Sequence, residues 1–135
     1  MSTQLNPYLH FEGDARDAIT FYQSVFGGDL ALMTFGELGL EGDQADRLAH
    51  SHLASPDGLV IMASDTPPGG TVNRGDAVNL SLNGDDDATL RGWFEQLSDG
   101  GEIHVPLDKQ PWGDVFGQCA DKYGVTWLVN INQPV

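Results

Sequence analysis

A repeated pattern divides this sequence into two similar halves. Residues 9–14 (LHFEGD) match residues 80–85 (LSLNGD) at an offset of 71. Later in each half, a glycine turn opens an apolar run, with DGLVIM at 57–62 and YGVTWL at 123–128. Self-similarity of this kind is typical of a duplicated structural unit. We therefore expect a fold built from two copies of one module.

Each half also contains one amphipathic helix. Apolar side chains recur at helical spacing over about 14–26 and again over about 86–97. Asp14 and Asp85 stand where an N-cap would accept a backbone N–H, and a Gly-Gly pair follows each helix.

Short apolar or alternating runs predict four strands in each half. They lie at 7–11, 29–35, 47–54 and about 59–62, and then at 78–82, 102–106, 115–120 and about 125–128. Each half thus has the order β-α-β-β-β, which predicts an α+β fold. We expect a single domain over 1–135, with module one at about 4–66 and module two at about 77–133. The linker between them, about 67–76, carries a PPGG run.

Composition narrows the classes of partner. Six Lys and Arg against twenty Asp and Glu give a net charge of −14, which repels nucleic acids and anionic membranes. No apolar run approaches the roughly 18–20 residues that a membrane span needs. Cys119 is the only cysteine, so no intrachain disulfide can form, and we expect an inert, buried thiol. These features predict a soluble, cytoplasmic protein that binds neither nucleic acid nor membrane.

Several segments carry a family resemblance. They lie at 6–9 (NPYL), 21–22 (FY), 26–28 (FGG), 62–65 (MASD), 80–84 (LSLNG), 112–117 (WGDVFG) and 127–131 (WLVNI). With them the chain resembles the vicinal oxygen chelate superfamily of glyoxalases, bleomycin-resistance proteins and dioxygenases, and most of all its PhnB-like branch. The resemblance spans about residues 4–132. It implies a glyoxalase-like open barrel of two modules around a concave cleft, and a homodimer.

The resemblance also implies where a metal would bind. Metal-dependent members hold a divalent ion with side chains, typically His, Gln or Glu, from the first and last strand of each module. The matching positions here are Pro7 (or Asn6 after a one-residue shift), Met62, Asn79 and Leu128. Pro and Leu have no lone pair and Met has only a soft thioether. We therefore expect this metal site to be absent, and no other cofactor is indicated.

Two histidines offer an alternative. His50 and His52 are two residues apart on a predicted strand and so share one face. They could line the cleft, or they could hold a metal together with Asp65 or Glu37. Zinc and iron centres usually have a third protein ligand, so two imidazoles alone make an incomplete site.

The loop at 109–114 (KQPWGD) is the most distinctive. Trp112 could form a wall of the cleft, with Lys109 or Asp114 binding the polar end of a ligand. Alternatively, Trp112 packs on the core or on a partner chain, and Asp114 caps the turn. The residues that we expect in the cleft have apolar or hydrogen-bonding side chains: Phe35, His50, His52, Met62, Lys109, Trp112 and Phe116.

Three functions compete at this point. The first is metal-free binding of a small apolar or aromatic molecule, by a binding protein rather than an enzyme. The second is a divergent metal-dependent lyase or dioxygenase with a relocated site near His50 and His52. The third is a structural or regulatory domain that acts through its surface. Fold alone does not choose among them.

Overall fold

The structure is a computed structural model that describes residues 3–134. The chain forms two compact units, one up to Asn73 and one from Arg74 onward. Each unit contains one α-helix and one four-stranded sheet, and neither sheet closes into a barrel. The predicted α+β class with two βαβββ modules is confirmed. Within residues 3–134, no helix is long and apolar enough to span a membrane.

Module one places its last strand next to its first. Its elements are β1 (Tyr8–Phe11), α1 (Ala15–Phe26), β2 (Asp29–Thr34), a 3-10 turn (Gly36–Leu38), β3 (Leu48–Ala54) and β4 (Val60–Asp65). The strand order is β1-β4-β3-β2, with β1 parallel to β4 and the other pairs antiparallel.

Module two repeats this topology. Its elements are β5 (Leu80–Gly84), α2 (Asp87–Ser98), β6 (Glu102–Lys109), β7 (Val115–Ala120) and β8 (Thr126–Ile131), in the order β5-β8-β7-β6. The Phe11 carbonyl accepts a hydrogen bond from Thr66, as the Gly84 carbonyl does from Asn132. Phe11 therefore corresponds to Gly84, 73 residues on (84 − 11), because the strand-to-helix turn is shorter in module two. The sequence match at 71 places the first strands two residues out of structural register.

The Gly-Gly pairs have the same role in both modules. A Cβ at Gly28 would lie 2.1 Å from the Ala54 carbonyl oxygen, and one at Gly101 would lie 2.1 Å from that of Ala120. No side chain fits at such a distance, so the second glycine of each pair lets the segment after the helix approach the neighbouring strand.

The core of module one lies between α1 and one face of its sheet. The helix buries an apolar stripe consisting of Ala15, Ala18, Ile19, Tyr22, Val25 and Phe26. Alternate strand residues pack toward it, among them Phe11, Leu53, Ile61 and Ala63. The residues between them turn to the opposite face of the sheet.

The buried carboxylate of Asp65 joins three segments of module one. Its Oδ1 accepts hydrogen bonds from the backbone N–H of Gly13 (2.7 Å) and Ala15 (3.0 Å), and its Oδ2 accepts one from Leu48 (2.9 Å). The side chain is therefore the anionic partner of the N-terminus of α1, where the helix dipole favours negative charge.

Both helix caps differ from the sequence prediction. Asp14 holds the N-cap position of α1 but makes no capping hydrogen bond with its side chain, because Asp65 takes the first helical N–H. In module two the cap is Asp86, which accepts from the Thr89 N–H at 3.2 Å, and not Asp85. The predicted N-cap position is therefore right for α1, although its side chain makes no capping bond, and one residue too early for α2.

Asp65→Asn should destabilise the protein by about 3 kcal/mol, because the amide has one acceptor oxygen for three buried N–H donors and carries no charge. Urea unfolding followed by circular dichroism measures the loss. Asp14→Asn is the matched control and should cost less than about 0.5 kcal/mol. Equal losses for the two variants would contradict this role of Asp65.

Cys119 should resist alkylation in the folded protein. The thiol is fully buried, and burial, followed by the nearby Asp121 carboxylate, raises its pKa from 9.0 to about 11. At pH 8, iodoacetamide should therefore label native protein at least ~100-fold more slowly than urea-unfolded protein.

The same pKa shift makes stability depend on pH. The unfolded thiol ionises above about pH 9 while the native thiol stays protonated, so the free energy of unfolding should fall as the pH rises from about 9 to 11. Cys119→Ala should lack this component. In the alkylation experiment, equal labelling rates for native and unfolded protein would contradict the burial of the Cys119 thiol.

Candidate functional site

The sheet of module one turns a set of polar and sulfur-containing side chains away from α1. We call this set the histidine face, and it consists of Tyr8 and His10 on β1, Met62 and Ser64 on β4, His50 and His52 on β3, and Ala31 and Met33 on β2. The register places Ala31, His52, Met62 and Tyr8 in one row across the sheet. Met33 pairs with His50, and Ser64 pairs with His10, in the next row.

Tyr8 is the centre of the contacts on this face. Its hydroxyl shares a hydrogen bond with Nδ1 of His50 at 2.9 Å. Its ring lies between two imidazoles, with centroid distances of 5.2 Å to His10 and 5.6 Å to His50. Nδ1 of His10 lies 3.4 Å from the Ser64 hydroxyl. In both histidines, therefore, Nδ1 faces a protein hydroxyl and Nε2 is the nitrogen left to meet a ligand.

A cavity of about 500 Å³ adjoins the histidine face within module one. His10, Ala49 and Ser64 line it from the sheet, and Phe35 lines it from the segment that follows β2. Ala49 reaches the cavity because the pairing of β2 with β3 shifts there, between Met33 and Thr34. The remaining wall is formed by residues 65–67 and 71–73.

The segment expected to be a linker forms part of this wall. Thr66 and Gly70 are joined by a hydrogen bond from the Thr66 hydroxyl to the Gly70 carbonyl (3.3 Å). The Glu12 carboxylate accepts a hydrogen bond from the Val72 N–H. Residues 66–73 are therefore folded back against the end of β1.

The predicted cleft residues of module one do not all meet. Phe35 lines the cavity, whereas His50, His52 and Met62 lie on the histidine face outside it. Asp65 lies apart from the two histidines, because its carboxylate is buried toward α1. Glu37 accepts from the Thr34 N–H at 3.2 Å, a local contact. Among residues 3–134, no three His, Cys, Asp or Glu side chains gather closely enough to hold a metal.

The predicted residues of module two form a separate aromatic group. Trp112 is 63% exposed, and its ring meets that of Phe116 edge-on at 6.0 Å. Lys109 ends β6 and is exposed. The Asp114 carboxylate accepts from the Asn130 side chain and the Gln133 N–H, both at 3.1 Å, so it ties β8 to the loop.

Sequence reasoning missed five residues of the histidine face: Tyr8, His10, Ala31, Met33 and Ser64. It assigned the first-strand position to Pro7, but Tyr8 is the residue that pairs with Met62. It gave no role to His10, whose Nδ1 lies 3.4 Å from the Ser64 hydroxyl. The signal that could have found Tyr8 and His10 is the alternation of side chains along a strand. Because Phe11 is buried, this alternation turns His10 and Tyr8 to the opposite face of the sheet.

Comparison with known proteins gives consistent matches over most of the chain. The model of the glyoxalase/bleomycin resistance protein/dioxygenase superfamily matches residues 4–129. Protein YjdN of Escherichia coli K12 is 30% identical over 139 aligned positions, which cover 94% of each protein. The crystal structure of PA1353 from Pseudomonas aeruginosa is 34% identical with a TM-score of 0.87, covering 98% of this chain and 100% of that one.

A second solved structure links the chain to the PhnB-like proteins. It is described as a putative 3-demethylubiquinone-9 3-methyltransferase, PhnB protein, from Bacillus cereus. It is 25% identical, with a TM-score of 0.75, and the match covers 96% of this chain and 100% of that one.

Proposed function

The chain belongs to the glyoxalase/bleomycin resistance protein/dioxygenase superfamily, and from that premise we propose that it binds a small uncharged molecule in the cavity of module one. The molecule has an apolar or aromatic body and one hydrogen-bonding oxygen. Binding requires no metal ion, and the protein acts as a binding protein rather than as an enzyme.

The observation that carries this proposal is the two-sided lining of the cavity. The sheet side supplies His10 and Ser64, which donate or accept hydrogen bonds. The opposite walls supply the apolar surfaces of Phe35, Pro67 and Val72. A mostly apolar pocket with a few converging polar groups suits a small molecule with one polar edge.

Charge favours a neutral ligand over an anion. The chain has a net charge of −14, which lowers the local concentration of anions at its surface. A neutral ligand with a phenol-type hydroxyl or a carbonyl meets no such repulsion.

The metal site of the family does not fit the residues present. Within module one, the last-strand position is Met62 and its first-strand neighbour is Tyr8; within module two, these are Leu128 and Ser81. Hard divalent ions need carboxylate, imidazole or carbonyl ligands, which a thioether and a leucine do not supply. The alternative with His50, His52 and Asp65 lacks its carboxylate, which is bound to three backbone N–H groups.

Two further expectations stay predictions. A ligand-binding role for Trp112, Phe116 and Lys109, which belong to module two, stays a prediction. The homodimer is likewise a proposal, and light scattering of the purified protein tests it.

NMR titration with small phenols tests the proposed cavity. Phenol and 4-methylphenol should shift the backbone amide signals of cavity residues such as Phe35, Ser64 and Val72. The anionic 4-methylbenzoate should bind more weakly. Phe35→Ala should raise the Kd about 10-fold, because it removes roughly 1.5–3 kcal/mol of apolar burial that the ligand can share only in part.

Leu38→Ala is the matched control for Phe35→Ala. It removes an exposed apolar side chain from the same loop without touching the cavity, and its Kd should equal that of the wild type. His10→Gln should weaken binding, whereas His104→Gln, on β6, should not. The proposal fails if phenols shift no cavity residue, or if elemental analysis finds one hard divalent ion bound to each chain.

A further inference from the structure

Met33 and Met62 lie opposite histidines in the sheet of module one. The sequence has three methionines and four histidines. Both methionines after Met1 lie on the histidine face, where Met33 pairs with His50 across β2 and β3, and Met62 pairs with His52 across β3 and β4. Such placement brings two thioethers and two imidazoles onto adjoining strands.

Each methionine lies within reach of both histidines, and the two methionines flank β3 from β2 and β4. Residues directly opposite in antiparallel strands have Cβ atoms about 4.5–5.5 Å apart, and diagonal neighbours are about 7–8 Å apart. Met33 is therefore a direct neighbour of His50 and a diagonal neighbour of His52, and Met62 has the reverse relation. Side chains as long as Met and His close those gaps.

The group is open to an ion from solvent. Met33 is 41% exposed, and His50, His52 and Met62 are half-buried. The Nδ1 of His50 is held by the Tyr8 hydroxyl at 2.9 Å, which fixes the ring and leaves Nε2 for an ion. Ligand histidines usually have such a partner on their other ring nitrogen.

The donor chemistry selects the class of ion. Thioether sulfur is a soft ligand that suits Cu(I), and imidazole accompanies it in copper sites. Hard ions such as Mg²⁺, Ca²⁺ and Mn²⁺ prefer oxygen ligands. Because no three His, Cys, Asp or Glu side chains gather among residues 3–134, a site here needs the methionine sulfurs.

We propose that Met33, His50, His52 and Met62 form a binding site for one soft monovalent ion, Cu(I), with Ag(I) as its non-redox equivalent. No electron transfer is involved. None of the four residues lines the cavity, so this site is independent of the proposed small-molecule binding.

Anaerobic titration of Cu(I) against the chelator bicinchoninate tests the proposal. The protein used carries Cys119→Ala, which removes its only thiol as a competing ligand. We expect one Cu(I) per chain and no displacement by excess Zn²⁺ or Mn²⁺. Met33→Leu and Met62→Leu should each weaken binding by about 10-fold, and the double variant should weaken it by at least ~100-fold. The X-ray absorption spectrum of copper bound to the double variant should lack the sulfur signal seen with the parent protein.

The controls separate ligand loss from structural damage. Leucine conserves the volume of methionine, so the double variant should unfold within about 1.5 kcal/mol of the parent. Tyr8→Phe should weaken Cu(I) binding by about 10-fold by freeing the His50 ring, whereas His104→Gln should change nothing. Phe35→Ala should raise the Kd for phenols about 10-fold and leave the Kd for Cu(I) unchanged.

Three results would overturn the proposal. They are no Cu(I) binding by the parent protein, equal affinity in the double methionine variant, and tighter binding of Zn²⁺ than of Cu(I). If phenols still shift the cavity residues in any of these cases, the failure concerns the ion site and not the cavity.

Discussion

The carboxylate of Asp65 is the interaction on which module one depends. From the end of β4 it accepts hydrogen bonds from the chain before α1, from the first turn of α1 and from the start of β3. One buried anion thus satisfies three backbone donors that would otherwise each cost free energy. It also fixes the end of β4, where the neighbouring Ser64 meets His10 and the cavity begins.

The alternation of β4 divides structural from ligand-facing roles. Ile61, Ala63 and Asp65 pack toward α1, and Met62 and Ser64 turn to the histidine face. The Asp65 carboxylate cannot contact a ligand on the histidine face without losing its hydrogen bonds at the N-terminus of α1. This explains why the face with the most chemistry has imidazole, hydroxyl and thioether groups but no carboxylate from β4.

The two kinds of recognition proposed for the histidine face use different residues. His10 and Ser64 border an apolar cavity and suit the polar edge of a neutral molecule. Met33, His50, His52 and Met62 suit a soft ion, and Tyr8 contacts both His10 and His50. The metal-dependent members of the family bind divalent ions through imidazole and oxygen donors. At the corresponding positions this chain has thioether and aliphatic side chains, and this difference changes which ions can bind. The proposed functions follow from that change in donor chemistry.

The sequence by itself determined the two modules, the approximate positions of both helices and all eight strands, and the shared face of His50 and His52. These features depend on local periodicity and on turn residues. Only the tertiary structure decided that Asp65, 50 residues from Ala15, replaces Asp14 as the helix partner. It also decided that Tyr8 rather than Pro7 stands beside Met62, and that the first strands correspond at 73 residues rather than 71. The physical reason is that strand register and buried hydrogen bonds join residues distant in sequence, and local patterns carry no record of which distant partner is chosen.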